Sequence, residues 1–371
     1  MRPTRAEALA YERARPPKRP AEERDAARAW VMRVLGIELS PEVEYLFDAR
    51  GAFEHPVTVG VCAAAAGALV LAPVVRLTLR RSGVMSEKTS ADVRTRTITW
   101  AFLAPAILAP IVLCPASAMA AVCVMSMLCF REYARATGLF REHGLCALVM
   151  AAMVALLAAS LDHWYGLFTA IGPLTMVALA GASVVRDSPK GYVQRVALSV
   201  MGFLLFGTGL GHLGYMANAP NYRPVLCMIV ACVQLSDIFA YICGKAFGRR
   251  KLFPNTSPGK TLGGHLGALV LTVPLAVVLG KLVFEGTAME RLDRLIVLGL
   301  IIGVGGQLGD LVLGSIKRDL GIKDMAATLP GHGGFLDRFN SLLLVAPASF
   351  HWIGMWVVWV GEAGEGVVVS G

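Results

Sequence analysis

The chain has 371 residues, 56% of them hydrophobic and 16% charged, a net charge of +9 and a mean hydropathy of +0.60. A soluble domain carries about 25% charge, so the composition excludes an ordinary soluble globular protein. It predicts an all-α, polytopic integral membrane protein. The basic residues are spread over many loops rather than one face, which fits positive-inside loops and excludes a nucleic-acid partner.

Residues 1–33 are polar, with nine Arg/Lys and five Asp/Glu, and are interrupted by Pro16, Pro17 and Pro20. They read as a disordered or partly helical tail. Ala27, Trp30, Val31, Val34 and Leu35 then fall at helical spacing, giving a short interfacial helix or, as an equal alternative, a poorly ordered extension. Ten apolar spans follow, near 57–75, 98–114, 116–130, 144–160, 164–184, 196–216, 224–243, 264–284, 294–316 and 340–360. Most approach the roughly 20 residues that cross a hydrocarbon core, so about nine to ten transmembrane helices are expected. The second and third spans are short, and Pro115 divides them into a tight hairpin. Three regions result: a polar N-terminal extension (1–55), an extra apolar span with a basic linker (56–96), and a membrane-embedded domain (97–371).

Basic linkers carrying Arg76 to Arg96, Arg131 to Arg141 and Arg186 to Arg195, together with 244–260 and 316–338, all fall on one side, which the positive-inside rule makes cytoplasmic. The acidic tail with Glu362 and Glu365 falls outside. The same count puts the basic N-terminal tail outside, against the rule, unless the first apolar segment is re-entrant. Eight cysteines (62, 114, 123, 129, 146, 227, 232 and 243) lie in or beside apolar segments with no CxxC pair, and read as small buried hydrophobes.

Chemistry concentrates in two clusters. At the exit of the ninth span Asp310, Gly314 and Lys317 are spaced i, i+4, i+7 and share one helix face, with Gly314 leaving room between the charges. A buried Asp there faces a cavity or pairs with Lys317 as a structural ion pair. Downstream come Arg318, Lys323-Asp324, Pro330-Gly331-His332-Gly333-Gly334 and Asp337-Arg338. Glycines let backbone N–H groups approach phosphate, and Asp337 folding back beside Asp310 would let two carboxylates share Mg²⁺, or a pair of metal ions. The second cluster starts at Asp237 and continues through five cations between Gly244 and Lys260 with no acid. Such a loop binds a triphosphate, or is an ordinary positive-inside loop. Gly259-Lys260-Thr261 resembles the end of a P-loop, but the first Gly is missing and a membrane span precedes it, which excludes that motif.

Together the clusters resemble the phosphatidate cytidylyltransferase (CDP-diacylglycerol synthase) family. The resemblance rests on Ser315, Lys317, Arg318, Lys323, Asp324, Pro330, His332, Gly333, Gly334, Asp337 and Arg338. Upstream it rests on Asp237, Ala240, Tyr241, Gly244, Phe247, Gly248, Ser257, Pro258, Lys260 and Thr261. A weaker resemblance extends back to about residue 97 and includes Glu132-Tyr133. It implies transfer of CMP from CTP to phosphatidic acid, giving CDP-diacylglycerol and pyrophosphate, with Mg²⁺ and at most a second metal ion. It further implies that Asp310 and Asp337 hold the metal, and that Lys317 and Arg318 clamp phosphates. Asp237 and Asp324 would orient water, metal or cations, and His332 joins this catalytic group. Lys245, Ser257, Lys260, Thr261, Ser315, Lys323, Gly333, Gly334 and Arg338 would bind substrate, with Lys260 on the triphosphate. The expected setting is a bacterial inner membrane, with the site facing the cytoplasm and a homodimer formed through membrane helices. Two positions depart from the pattern: Gly263 and Asn340 stand where members usually carry Glu and Asp. The rival readings are a CTP-dependent lipid kinase, a cytidylyltransferase of another lipid phosphate, and a transporter or non-catalytic membrane relative.

Overall fold

Apolar segments without water close their backbone hydrogen bonds internally, and each of the ten apolar spans is helical over most of its described length in the computed structural model. The structure describes residues 41–185 and 187–357. The 27–35 segment, expected as a helix or a poorly ordered extension, the polar tail before it, Arg186, Glu362 and Glu365 lie outside the described residues. The described residues from Tyr45 onward form one compact unit. Its helices are α1 (Pro56–Arg81), α2 (Glu87–Leu113), α3 (Pro115–Thr137), α4 (His143–Leu161), α5 (Tyr165–Val184), α6 (Tyr192–Met216) and α7 (Tyr222–Phe247). A short antiparallel hairpin follows, β1 (Lys251–Phe253) and β2 (Ser257–Thr261), then α8 (Leu262–Val283) and α9 (Leu292–Asp319). The one-turn α10 (Leu336–Phe339) leads into α11 (Leu342–Gly354). Among the described residues nine helices, α1 to α9, are long and apolar enough to cross a membrane, and α11 is a shorter apolar helix. The protein is an all-α, polytopic integral membrane protein.

Several boundaries differ from the sequence reading. The basic stretch 76–96, expected as a linker, is mostly helix: α1 runs through Arg76, Arg80 and Arg81, and α2 begins at Glu87. Arginine stems lie along an apolar helix while their charged heads reach the polar side, so charge does not end the helix. The turn between them is set by Ser86, whose Oγ accepts from Thr89 N at 3.2 Å. α1 is an unbroken 26-residue helix, long enough to cross a hydrocarbon core. Its Val70, Leu71 and Val74 are exposed, as suits contact with lipid. Pro115 opens α3 directly after Cys114, as the hairpin reading requires. The loop 244–260 contains the β-hairpin, which its cationic composition concealed.

The core is aromatic where α3, α6 and α11 meet, with Phe130, Tyr133, Phe203 and Phe206 fully buried. A π-helical segment, Phe203–Gly209, lies inside α6. All eight cysteines are free and buried or half-buried, as their apolar setting predicts. On the face where α7 begins, Arg223 donates to the carbonyls of Asp48, Arg50, Val112 and Leu113. The chain therefore enters α1 from the face opposite the end of α7, where the site lies.

Candidate active site

The ends of α7 and α9, the hairpin and the start of α11 bring one set of polar groups together. Lys260 Nζ lies 2.5 Å from Asp310 Oδ2 and also donates to Gln307 O at 3.3 Å. Asn340 Nδ2 donates to Asp310 Oδ1 at 2.6 Å, and Asn340 Oδ1 accepts from Ser341 N at 2.8 Å. Ser341 Oγ donates to Asp237 Oδ2 at 3.2 Å. Asp237 and Asp310 are thus joined through Asn340 and Ser341, and Asp237 also feels the charges of Asp310, Lys260 and Arg338. Local packing makes this possible. A side chain at Gly309 would press on the Asn340 carbonyl, so its absence lets α9 approach the turn before α11. Lys260 is held in position because Thr261 caps α8, its Oγ1 accepting from Gly264 N at 3.2 Å.

A second set surrounds Asp337. Its carboxylate is buried and accepts from Lys317 Nζ at 2.9 Å, Met325 N at 3.0 Å and Gly334 N at 2.9 Å. Asp310 and Lys317, which share a face of α9, therefore do not pair with each other: each meets a different partner. Asp337, expected beside Asp310, has its oxygens engaged by Lys317 and two backbone N–H groups. Gly314 makes room for Thr256 of the hairpin rather than for the two charges. Gly334, expected to offer its N–H to phosphate, gives it to Asp337.

Sequence reasoning gave Glu132 no role in the site, yet it organises the glycine loop. Glu132 is buried near the end of α3 and accepts from Thr328 Oγ1 at 2.5 Å, Phe335 N at 3.0 Å and Leu336 N at 2.9 Å. A side chain at Gly334 would collide with it. No signal in the sequence set it apart: it lies between Arg131 and Arg135 in a stretch read as a basic linker, and it is the continuation of α3 to Thr137 that carries it into the buried interior.

His332 is buried, with Nδ1 3.4 Å from Pro330 O and its ring edge-on to Trp100 at 6.0 Å. Burial, together with the positive charges of Arg338 and Arg96, holds its pKa below the usual His value. Arg338 presents a buried Nε with no acceptor among the described residues, as suits a residue awaiting an anion. Ser315, Arg318, Lys323 and Asp324 are exposed. Arg318 Nε donates to Thr256 O at 3.3 Å, and Asp324 lies against Gly333. Ser257 belongs to β2, facing Phe253. Lys245 lies over the Tyr241 ring at 4.7 Å and joins neither carboxylate set among the described residues. Gly263, one of the two departures, is sterically required here. A Cβ would lie 2.6 Å from the Phe247 carbonyl oxygen.

The donor set can be tested against Mg²⁺, which takes oxygen ligands and is commonly held by one or two carboxylates together with waters and substrate phosphates. Among the described residues no three His, Cys, Asp or Glu side chains cluster into a ready metal cage. Asp237 and Asp310 nonetheless supply two carboxylates in one network, Asp237 exposed and Asp310 only partly buried. Both Asp310 oxygens are engaged, by Lys260 and Asn340, so the arrangement fits a cation held jointly with phosphates where it takes the place of Lys260 on Asp310.

The cytidylyltransferase family model matches residues 94–356, most of the chain. The chain belongs to the cytidylyltransferase family. It is 35% identical over 195 residues to an uncharacterised protein, YnbB, of Escherichia coli (strain K12), covering 51% of this chain and 64% of that one. It is 36% identical over 139 residues to the phosphatidate cytidylyltransferase of Staphylococcus haemolyticus (strain JCSC1435), covering 38% and 52%. It is 47% identical over 159 residues to the phosphatidate cytidylyltransferase of Staphylococcus aureus (strain COL), covering 42% and 55%. The matches thus span between 52% and 64% of these relatives' lengths. This cytidylyltransferase-family chain carries its extra helix α1 and most of the 76–96 stretch upstream of the matched region.

Proposed function

We propose that the protein transfers CMP from CTP to phosphatidate, giving CDP-diacylglycerol and pyrophosphate, at the cytoplasmic face of a bacterial inner membrane. The observation that carries this reading is the linked set Asp237–Ser341–Asn340–Asp310–Lys260, with the free Nε of Arg338 nearby. It combines carboxylates for a cation with cations for phosphate where the helices end. Two relatives whose names specify phosphatidate cytidylyltransferase add support.

A phosphate monoester has a second pKa of about 6, so phosphatidate is largely dianionic near neutral pH and needs no strong base. Its oxygen attacks the α-phosphorus of CTP. A new O–Pα bond forms, the Pα–O bond to the β-phosphate breaks, and the electron pair leaves with pyrophosphate. The work left to the protein is alignment and charge neutralisation. Asp237 and Asp310 would hold Mg²⁺, while Asp337, which the sequence assigned to the metal, orients Lys317 and fixes the glycine loop. Bound Mg²⁺ would supply charge neutralisation and a template for the phosphates. Arg338 and Arg318 bind phosphate oxygens, Lys317 presents its charge from the buried pair with Asp337, and Lys260 tunes Asp310 while reaching towards the triphosphate. His332, packed edge-on to Trp100, shapes the loop.

Purified protein with radiolabelled CTP, phosphatidate and Mg²⁺ tests this directly. Equal amounts of CDP-lipid and pyrophosphate are expected, with turnover falling by about 10²-fold or more in Asp310→Asn. Release of CDP with a phosphorylated lipid would replace the reading with a lipid kinase. No turnover of any lipid phosphate by folded protein would replace it with a non-catalytic relative.

A further inference from the structure

The amino-terminal part of α2 lies against the glycine loop. Thr99 Oγ1 donates to Pro330 O at 2.8 Å, and a side chain at Gly331 would touch Thr95 and Arg96. From this junction a groove of about 350 Å³ runs along α2, lined by Ile98, Phe102, Leu103 and Ala106 and closed on the loop side by Leu329 and Phe335. Its wall is apolar apart from Thr95 and Thr99 at the loop end. Phe102 is 75% exposed, and Ala106 is exposed too, so the groove opens sideways from a membrane-spanning helix.

Length and polarity identify the occupant. From Thr95 to Ala106 the helix rises about 16 Å at ~1.5 Å per residue. That is close to half of a ~30 Å hydrocarbon core, the depth of a single leaflet. The loop end carries an excess of positive charge, with Arg94 exposed on α2, Arg96 paired with Asp92 at 3.0 Å, and Arg338 beyond His332, and the far end is hydrocarbon. A molecule matching both ends is a lipid with an anionic head and one chain lying along the helix. The mouth lies two residues from His332, so a head group there reaches the site described above.

We infer that this groove holds one acyl chain of the lipid phosphate substrate and so guides its phosphate to the His332–Arg338 end of the site. The inference rests on the proposed reaction. It adds an acyl-chain subsite formed by α2 and the 329–335 loop, in which chain length is sensed at Ala106.

Ala106→Trp fills the deep end from an exposed helix position. With this variant the KM for dipalmitoyl phosphatidate is expected to rise about tenfold, whereas those for dioctanoyl phosphatidate and CTP stay within about twofold. An equal change for both lipids, or no change, overturns the subsite. A dipalmitoyl-type phosphatidate with a terminal diazirine gives a readout that does not depend on turnover. Labelling of 98–106 is expected, competed by phosphatidate but not by phosphatidylcholine. Absence of labelling there overturns the inference, as does equal competition by phosphatidylcholine, which would mean bulk lipid. Phosphatidate-selective labelling in a protein that makes no CDP-lipid would retain the groove as a lipid-phosphate site and reject the proposed reaction.

Discussion

Asp310 and Asp337 look equivalent in the sequence, as two carboxylates flanking a glycine loop, but their surroundings give them different work. Asp337 is buried against Lys317 and two backbone N–H groups. Removing one partner of a buried pair typically costs about 3–5 kcal/mol. Asp337→Ala is therefore expected to lower thermal stability in detergent by an amount of that order, whereas Asp310→Asn, at a partly exposed group, loses turnover with little loss of stability. Parallel unfolding curves and rates separate the two. His332 gives a pH signature. Its folded pKa is lowered by burial, while the unfolded chain titrates near the ordinary value of about 6.5. The unfolded state binds the extra proton, so the histidine's contribution falls as pH drops below about 6.5. Comparing unfolding at pH 7.5 and 5.5, His332→Asn is expected to show a smaller acid loss than the parent. The residue types at the site were legible in the sequence. Their wiring was not, because Lys260 reaches Asp310 and Glu132 reaches Leu336 across separations that spacing on one helix cannot reveal.

At the level of elements, the glycine loop is held from two sides, by Asp337 from α10 and by Glu132 from α3. Hydrogen bonds to a charged group contribute about 1.5–3 kcal/mol each. Glu132→Ala leaves Thr328, Phe335 and Leu336 without their acceptor, and is expected to cut turnover by about tenfold or more and expose the loop to protease. Glu132→Gln keeps the acceptor oxygen and is expected to recover part of both, a graded pattern that a residue binding substrate directly would not give in the protease assay. Gly263 belongs with the elements as well. Replacing it with the Glu more usual in the family drives a Cβ into the Phe247 carbonyl where α7 meets α8. Gly263→Glu is expected to reduce folded yield rather than restore a lost function, as detergent size-exclusion profiles can show. The helices themselves were readable because apolar length fixes them, and Pro115 marked its hairpin. The ends of α1 and α2 and the β-hairpin were obscured by arginines and lysines, which signal a loop by charge while remaining compatible with helix or strand.

For the whole molecule, the path of the chain settles relative sidedness. Asp237, Lys260, Asp310, Glu132 and the start of α2 all meet at one face, and each is separated from the others by an even number of long helices. Arg223, holding the carbonyls of Asp48 and Arg50, marks the other face, which is where the chain enters α1. Positive residues cluster in the loops at the site face, so the positive-inside rule predicts that this face meets the cytoplasm, as the proposed use of CTP requires. An impermeant maleimide can test this. The native cysteines are buried or half-buried, so an introduced thiol at an exposed loop dominates the labelling. In intact cells Glu285→Cys, in the turn between α8 and α9, is expected to label from outside. Lys323→Cys, in the loop after α9, is expected to label only after the membrane is opened. The reverse pattern would put the carboxylates and the mouth of the α2 groove on the outer surface, away from nucleotide, and would reject the cytidylyl-transfer reading even if the fold were correct in every helix.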